Sequence, residues 1–86
     1  MAKRFVYFYF TKRKIEELAA LAPKHVEYWK QAALPGYMGG PFSDRTGGMI
    51  SFEADEMEKV EEIVDKDPFN IEELVEYKWI KEWVLE

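Results

Sequence analysis

Phe5-Val6-Tyr7-Phe8-Tyr9-Phe10 is an unbroken apolar run in which every residue is β-branched or aromatic, set inside the segment Lys3 to Thr11. A strand with one wet face alternates apolar and polar residues. This one does not alternate, so it predicts a central strand covered on both sides. Downstream the period changes. Ile15, Leu18 and Leu21 recur at helical spacing, with Glu16 and Glu17 on the outer face. Pro23 interrupts that pattern and either kinks one long helix or opens a second one, where its missing N–H costs nothing. Val26, Trp29 and Ala33 continue an apolar stripe, and Leu34-Pro35-Gly36 stops it.

Tyr37-Met38 is a short strand candidate ended by Gly39-Gly40-Pro41, and the stretch to Gly48 reads as a glycine-bounded loop. Met49 to Ala54 alternates, with Ile50, Phe52 and Ala54 on one side, which predicts a strand with one buried face. Asp55 followed by Glu58 resembles a capping box. Met57, Val60, Ile63 and Val64 form the stripe of a second helix ending at Lys66. Asp67-Pro68-Phe69 reads as a turn, because the residue before proline avoids the helical region. Val75, Tyr77 and Trp79 make a last strand, with Glu76 and Lys78 opposite.

The order β-α-β-β-α-β is that of the ferredoxin-like α+β fold, one domain over residues 1–86 with a four-stranded antiparallel sheet. Right-handed crossovers put both helices on one face. The other face, aromatic on the first and last strands, exceeds what a monomer leaves open to water. A homodimer stacked sheet to sheet is expected.

The 86 residues are 48% hydrophobic and 16% aromatic, enough for one core, and contain no cysteine. That rules out a thiol enzyme, a disulfide scaffold and a zinc finger. No apolar run reaches the roughly 18 residues of a membrane span, and no signal peptide is recognisable, so a cytoplasmic protein with no membrane partner is expected. The net charge is −5, and residues 51–86 carry thirteen acids against four bases, net −9. That half repels nucleic acid. An RNA-binding sheet would also need a basic-Gly-aromatic run on the third strand, and Met49-Ile50-Ser51-Phe52-Glu53 is not one. One Asn, one Gln and 34% charged residues make a mix common in thermophile proteins.

There is no phosphate-binding glycine loop, no histidine pair at metal spacing and no Gly-x-Ser-x-Gly, so neither metal nor cofactor is expected. The single histidine, His25, would sit in a first helical turn if Pro23 opens a helix, where the positive dipole end favours a neutral imidazole. The plainer reading is a surface histidine beside Lys24 and Glu27. Gly39, Gly40, Gly47 and Gly48 let backbone approach a ligand closely, and Asp44 and Arg45 add charge; the plainer reading is a mobile connection. Asp67 is either a helix stop or the carboxylate that orients His25.

The chain resembles the YciI-like family of small dimeric ferredoxin-like proteins along nearly its whole length. The resemblance rests on the aromatic first strand, Ala22-Pro23-Lys24-His25, Gly39-Gly40-Pro41, Gly47-Gly48 and Asp67-Pro68-Phe69. It departs in a shorter loop between Pro41 and Gly47 and in a Lys/Glu/Trp-rich end. The resemblance implies a His/Asp centre in a pocket beside the sheet, hence His25 with Asp67, or with Asp44 as the competing aspartate. Some relatives are linked to the breakdown of aromatic compounds. The expected function is a small acid/base enzyme, lyase or isomerase, acting on a small cyclic or carbonyl compound. The alternative is a non-catalytic dimeric module that binds a small molecule or regulates a partner.

Overall fold

The computed structural model describes residues 2–86, in the order β1 (Lys3–Thr11), α1 (Ile15–Gln31), β2 (Met38–Pro41), β3 (Gly47–Ala54), α2 (Met57–Asp65), α3 (Pro68–Ile71) and β4 (Val75–Glu82). The strands form one antiparallel sheet in the order β2-β3-β1-β4, with β1 and β3 central. This is the ferredoxin-like arrangement, with one short helix added before the last strand.

The β1–β3 register pairs Phe5 with Phe52, Tyr7 with Ile50 and Tyr9 with Gly48. It therefore assigns the odd residues of β1 to the helix side, where Phe5, Tyr7, Ile50 and Phe52 are buried with Trp29, Val60, Val64, Phe69 and Leu74. The even residues face the other way. Phe8 stacks on Trp79 with ring centroids 5.4 Å apart, and Phe10 meets Phe42 at 5.5 Å. Met49, Tyr77, Trp79 and Trp83 lie exposed. At one end of this open face Arg4 donates to Ser51 Oγ at 2.8 Å and to the Gly36 carbonyl at 3.1 Å, tying the α1–β2 turn to the sheet.

One open alternative is decided and three local expectations change. Pro23 lies inside α1, which runs through it as one long helix, the first of the two readings. The lost bond leaves the Ala19 carbonyl without its usual donor, but Ala19 and Pro23 are exposed, so the carbonyl is open to solvent. The capping box does not form. Glu56, not Asp55, is the N-cap of α2 and makes no side-chain cap bond, so Glu58 stands one position too early to reciprocate, and the helix ends at Asp65. Asp67-Pro68-Phe69 is more than a turn: the Asp67 carboxylate accepts from Phe69 N, and Pro68 opens the four-residue α3. Gly39, Gly40 and Pro41 do not end β2 but belong to it, pairing with Ile50, Met49 and Gly48. The loop shrinks to a turn over 42–46, in which Arg45 adopts φ 64°.

Candidate functional site

α1 carries His25 and Trp29 one helical turn apart on its buried face, and Asp67, the N-cap of α3, meets both. His25 Nδ1 lies 2.8 Å from Asp67 Oδ1, and Phe69 N donates to the same oxygen at 2.8 Å. Trp29 Nε1 donates to the other oxygen, Oδ2, at 2.8 Å. Asp67 is wholly inaccessible to water, so a charge that would be costly to bury alone is met by three N–H groups. The carboxylate accepts at both oxygens. This assigns the proton of the neutral His25 ring to Nδ1 and makes Nε2 the acceptor.

Phe69, one residue after Pro68, lies flat against the imidazole at 4.1 Å with an interplanar angle of 8°. The ring is thus fixed in its plane by stacking and in its rotation by Asp67. On the outer side, the Tyr9 hydroxyl stands 3.1 Å from Nε2. Burial, then the negative charge of Asp67, then Tyr37, push the Tyr9 hydroxyl well above its ordinary value, so it remains a phenol with a proton to donate. Tyr37 shows the same upward direction, from burial first and Asp67 second. No buried side-chain nitrogen or oxygen among the described residues lacks a partner.

The structure divides the residues singled out in the sequence. His25 and Asp67 meet. His25 stands in the middle of α1 and not in a first turn, so its setting comes from Asp67, Phe69 and Tyr9 rather than from a helix dipole. Gly48 lies under the Tyr9 ring: a Cβ there would come 2.7 Å from Tyr9 Oη and 2.8 Å from the Gly40 carbonyl. Gly47 is forced by β1 itself, since its Cβ would fall 1.8 Å from the Tyr9 carbonyl oxygen. Gly39 faces Ile50 and the Tyr37 hydroxyl, whereas Gly40 has open space.

Asp44 and Arg45 go elsewhere. Asp44 accepts from Thr46 Oγ1 at 2.7 Å and from Thr46 N at 3.1 Å, bonds that hold its carboxyl below the usual range. It borders a groove with Phe10, Phe42, Ser43 and Thr46, on the open side of the sheet, away from Tyr9 and His25. A two-residue hydrogen-bonded turn satisfies Asp44 locally, which is why it does not reach the histidine. The larger concavity, also on the open face, is lined by Val6, Phe8, Phe42, Met49 and Trp83 among others.

Tyr9 and Trp29 went unrecognised in the sequence as partners of the histidine. Trp29 carries a signal, four residues after His25. Tyr9 carries none until the strand register is known. No group of three or more His, Asp or Glu among the described residues could hold a metal ion, and no helix is long and apolar enough to cross a membrane.

Among solved structures the chain is similar to 5-chloro-2-hydroxyhydroquinone dehydrochlorinase (TftG) from Burkholderia phenoliruptrix AC1100, in complex with 2,5-dihydroxybenzoquinone. The identity is 21% and the TM-score 0.82, over 94% of this chain and 93% of that one, a likeness of fold. No curated protein matches the chain. The YCII-related domain model spans residues 3–84, from the first residue of β1 to just past the last of β4, and the chain belongs to that family.

Proposed function

We propose that this protein is a small acid/base enzyme of the lyase type, acting on a hydroxylated ring compound, with His25 as the proton-moving group and Asp67 as its orienting partner. The observation that carries the reading is the 2.8 Å contact of His25 Nδ1 with a carboxylate that is itself fully bonded and buried. A buried structural histidine also needs its N–H bonded, and a catalytic one needs in addition one nitrogen pinned so that the other presents a defined lone pair. His25 Nε2 takes a proton from a ring hydroxyl, and Asp67 stabilises the imidazolium that results. The step runs from the keto tautomer of the ring, in which the proton of a neighbouring hydroxyl has moved to the carbon that bears the leaving group. The electron pair left by deprotonation of a second, conjugated hydroxyl forms the new C=O and shifts the ring double bond. That shift expels the leaving group with its bonding pair, leaving a quinone. The likeness to a dehydrochlorinase supports this reading, since net loss of a proton and chloride is this class of step.

The enzyme is a homodimer through the open sheet face, a reading supported by the exposed Met49, Tyr77, Trp79 and Trp83. A second reading, a non-catalytic dimeric module that binds a small ligand, is favoured by one fact: the outer nitrogen of His25 is already bonded to Tyr9. Chloride release from 5-chloro-2-hydroxyhydroquinone separates the two. Turnover by the wild type, with a loss of about 100-fold or more in His25→Gln, is the expected outcome. Unchanged turnover in that variant refutes the histidine's role, and binding without chloride release supports the module.

A further inference from the structure

The dyad does not present its outer nitrogen to solvent. Nε2 of His25 has the Tyr9 hydroxyl 3.1 Å away, and His25 and Tyr9 are only 8% and 5% exposed. Tyr9 is built into that position from several sides. Its ring stacks on Tyr7 at 5.1 Å and meets Phe69 edge-on at 6.4 Å. Below it, the absence of a side chain at Gly48 leaves the space its hydroxyl occupies, because a Cβ there would stand 2.7 Å from Oη and 3.0 Å from Cζ. Glycine's conformational freedom is not the reason for Gly48, which has no positive φ. Space for a phenol is.

We propose that Tyr9 is a positioning residue of this site: its O–H is donated to His25 Nε2, it locks the imidazole with Asp67 as the Nδ1-protonated tautomer, and a ligand gains Nε2 by displacing it. The inference rests on the acid/base reading of His25 and adds a constraint on what the site accepts. A buried acceptor that loses its donor without replacement is destabilised, so the incoming molecule brings a hydroxyl of its own to the place the phenol leaves. The chemical class is therefore a ring or chain carrying a hydrogen-bond-donating hydroxyl. A carboxylate or phosphate, with acceptors only, is disfavoured at this nitrogen. Asp67 keeps Nδ1 protonated throughout, through contacts on the far side of the ring that Tyr9 does not share.

His25 is the only histidine of the chain, so nitrogen-15 spectra of the imidazole report on it without assignment ambiguity. In the wild type at neutral pH the Nδ1-protonated tautomer is expected, with Nε2 at the position of a hydrogen-bonded acceptor. In Tyr9→Phe, which keeps the ring and its packing, the Nε2 signal moves toward that of an unbonded nitrogen. Phenol, the simplest ring hydroxyl, then binds about three- to tenfold more tightly because it no longer competes with Tyr9. An Nε2-protonated tautomer in the wild type overturns the proposal before any variant is made. So does an Nε2 signal unmoved in Tyr9→Phe, or phenol binding that is unchanged or weaker. None of these outcomes depends on turnover, whereas the acid/base reading fails separately if His25→Gln keeps its activity.

Discussion

Asp67 holds three N–H donors on two oxygens, and that number decides what a substitution costs. In Asp67→Asn one oxygen becomes an NH2 group facing either Trp29 Nε1 or the pair from His25 and Phe69. A buried donor then opposes a donor, and unfolding in urea should show a loss of about 2–4 kcal/mol. His25→Gln keeps an amide donor near Asp67 and should cost only about 1–2 kcal/mol by the same measurement, so its effect on turnover can be read apart from folding. The tyrosines give a pH dependence of definite sign. Burial, the largest cause, pushes both Tyr7 and Tyr9 well above the ordinary 10.0. In the unfolded chain these phenols lose their protons near pH 10, while in the folded protein they keep them. Stability is therefore complete below about pH 10 and falls as pH rises through the raised folded values, by on the order of 1.4 kcal/mol per pH unit for each phenol. Urea midpoints between pH 8 and 11 check this, and the slope should be shallower in Tyr9→Phe. Read alone, His25 looks like a surface residue and Asp67 like a helix stop. The resemblance to the YciI-like family, carried by Ala22-Pro23-Lys24-His25 and Asp67-Pro68-Phe69, brings the two together as candidates beside Asp44. Neither reading singles out Tyr9. Within Phe5 to Phe10 every residue looks alike, and which one reaches His25 depends on a register that a one-residue slip would invert.

The elements with strong periodicity were legible from their own residues, and the weak ones were decided by neighbours. β1 buries its odd residues, and β3 buries Ile50 and Phe52 from its alternating face. Of the α1 stripe only Trp29 is fully buried: Leu18 and Leu21 are half-buried, Ile15 and Val26 are exposed, and Ala33 lies beyond the helix end. β2 is Met-Gly-Gly-Pro, a composition that argues against a strand, and it pairs only because β3 offers an unfilled edge. α3 is four residues long, too short for any period, and owes its start to the Asp67 cap. Pro23 was ambiguous because the same residue opens helices and bends them. Its toleration inside α1 depends on Ala19 being exposed, which no local pattern reveals. An interior proline costs a helix about 3 kcal/mol, offset here by solvation of the freed carbonyl and by the smaller entropy of the unfolded chain. Pro23→Ala should therefore gain about 1–2 kcal/mol, seen as a rise of roughly 5–10 °C in Tm for a domain of this size. The nitrogen-15 signature of His25 should stay as in the wild type. A changed signature would show that Pro23 helps to set the ring against Asp67.

At the scale of the whole molecule, the proposed homodimer rests on the unequal faces of the sheet. The helix side is closed by Trp29, Val60, Val64 and Phe69, whereas Trp79 and Tyr77 on the other side are 43% and 58% exposed. Strands about 4.8 Å apart, rising about 3.3 Å per residue, give a four-stranded face on the order of 500 Å². Two such faces together bury about 1,000 Å², the lower bound of a specific interface, and aromatic side chains supply more energy per residue than this area suggests. The proposed homodimer is therefore the form expected at micromolar concentration. Sedimentation equilibrium should give about twice the 10.2 kDa of one chain. Trp79 is the residue to test, since it stacks on Phe8 at 5.4 Å and meets Phe10 and Tyr77 within 6.3 Å, placing it at the centre of the aromatic patch. Trp79→Lys sets a charge from each copy into an apolar interface, where neither finds a partner. The variant should sediment as a monomer while His25 keeps its contacts, because Trp79 and the dyad lie on opposite faces of the sheet. A wild type that sediments as a monomer would leave the aromatic face without a second copy to cover it, and the homodimer would have to be abandoned.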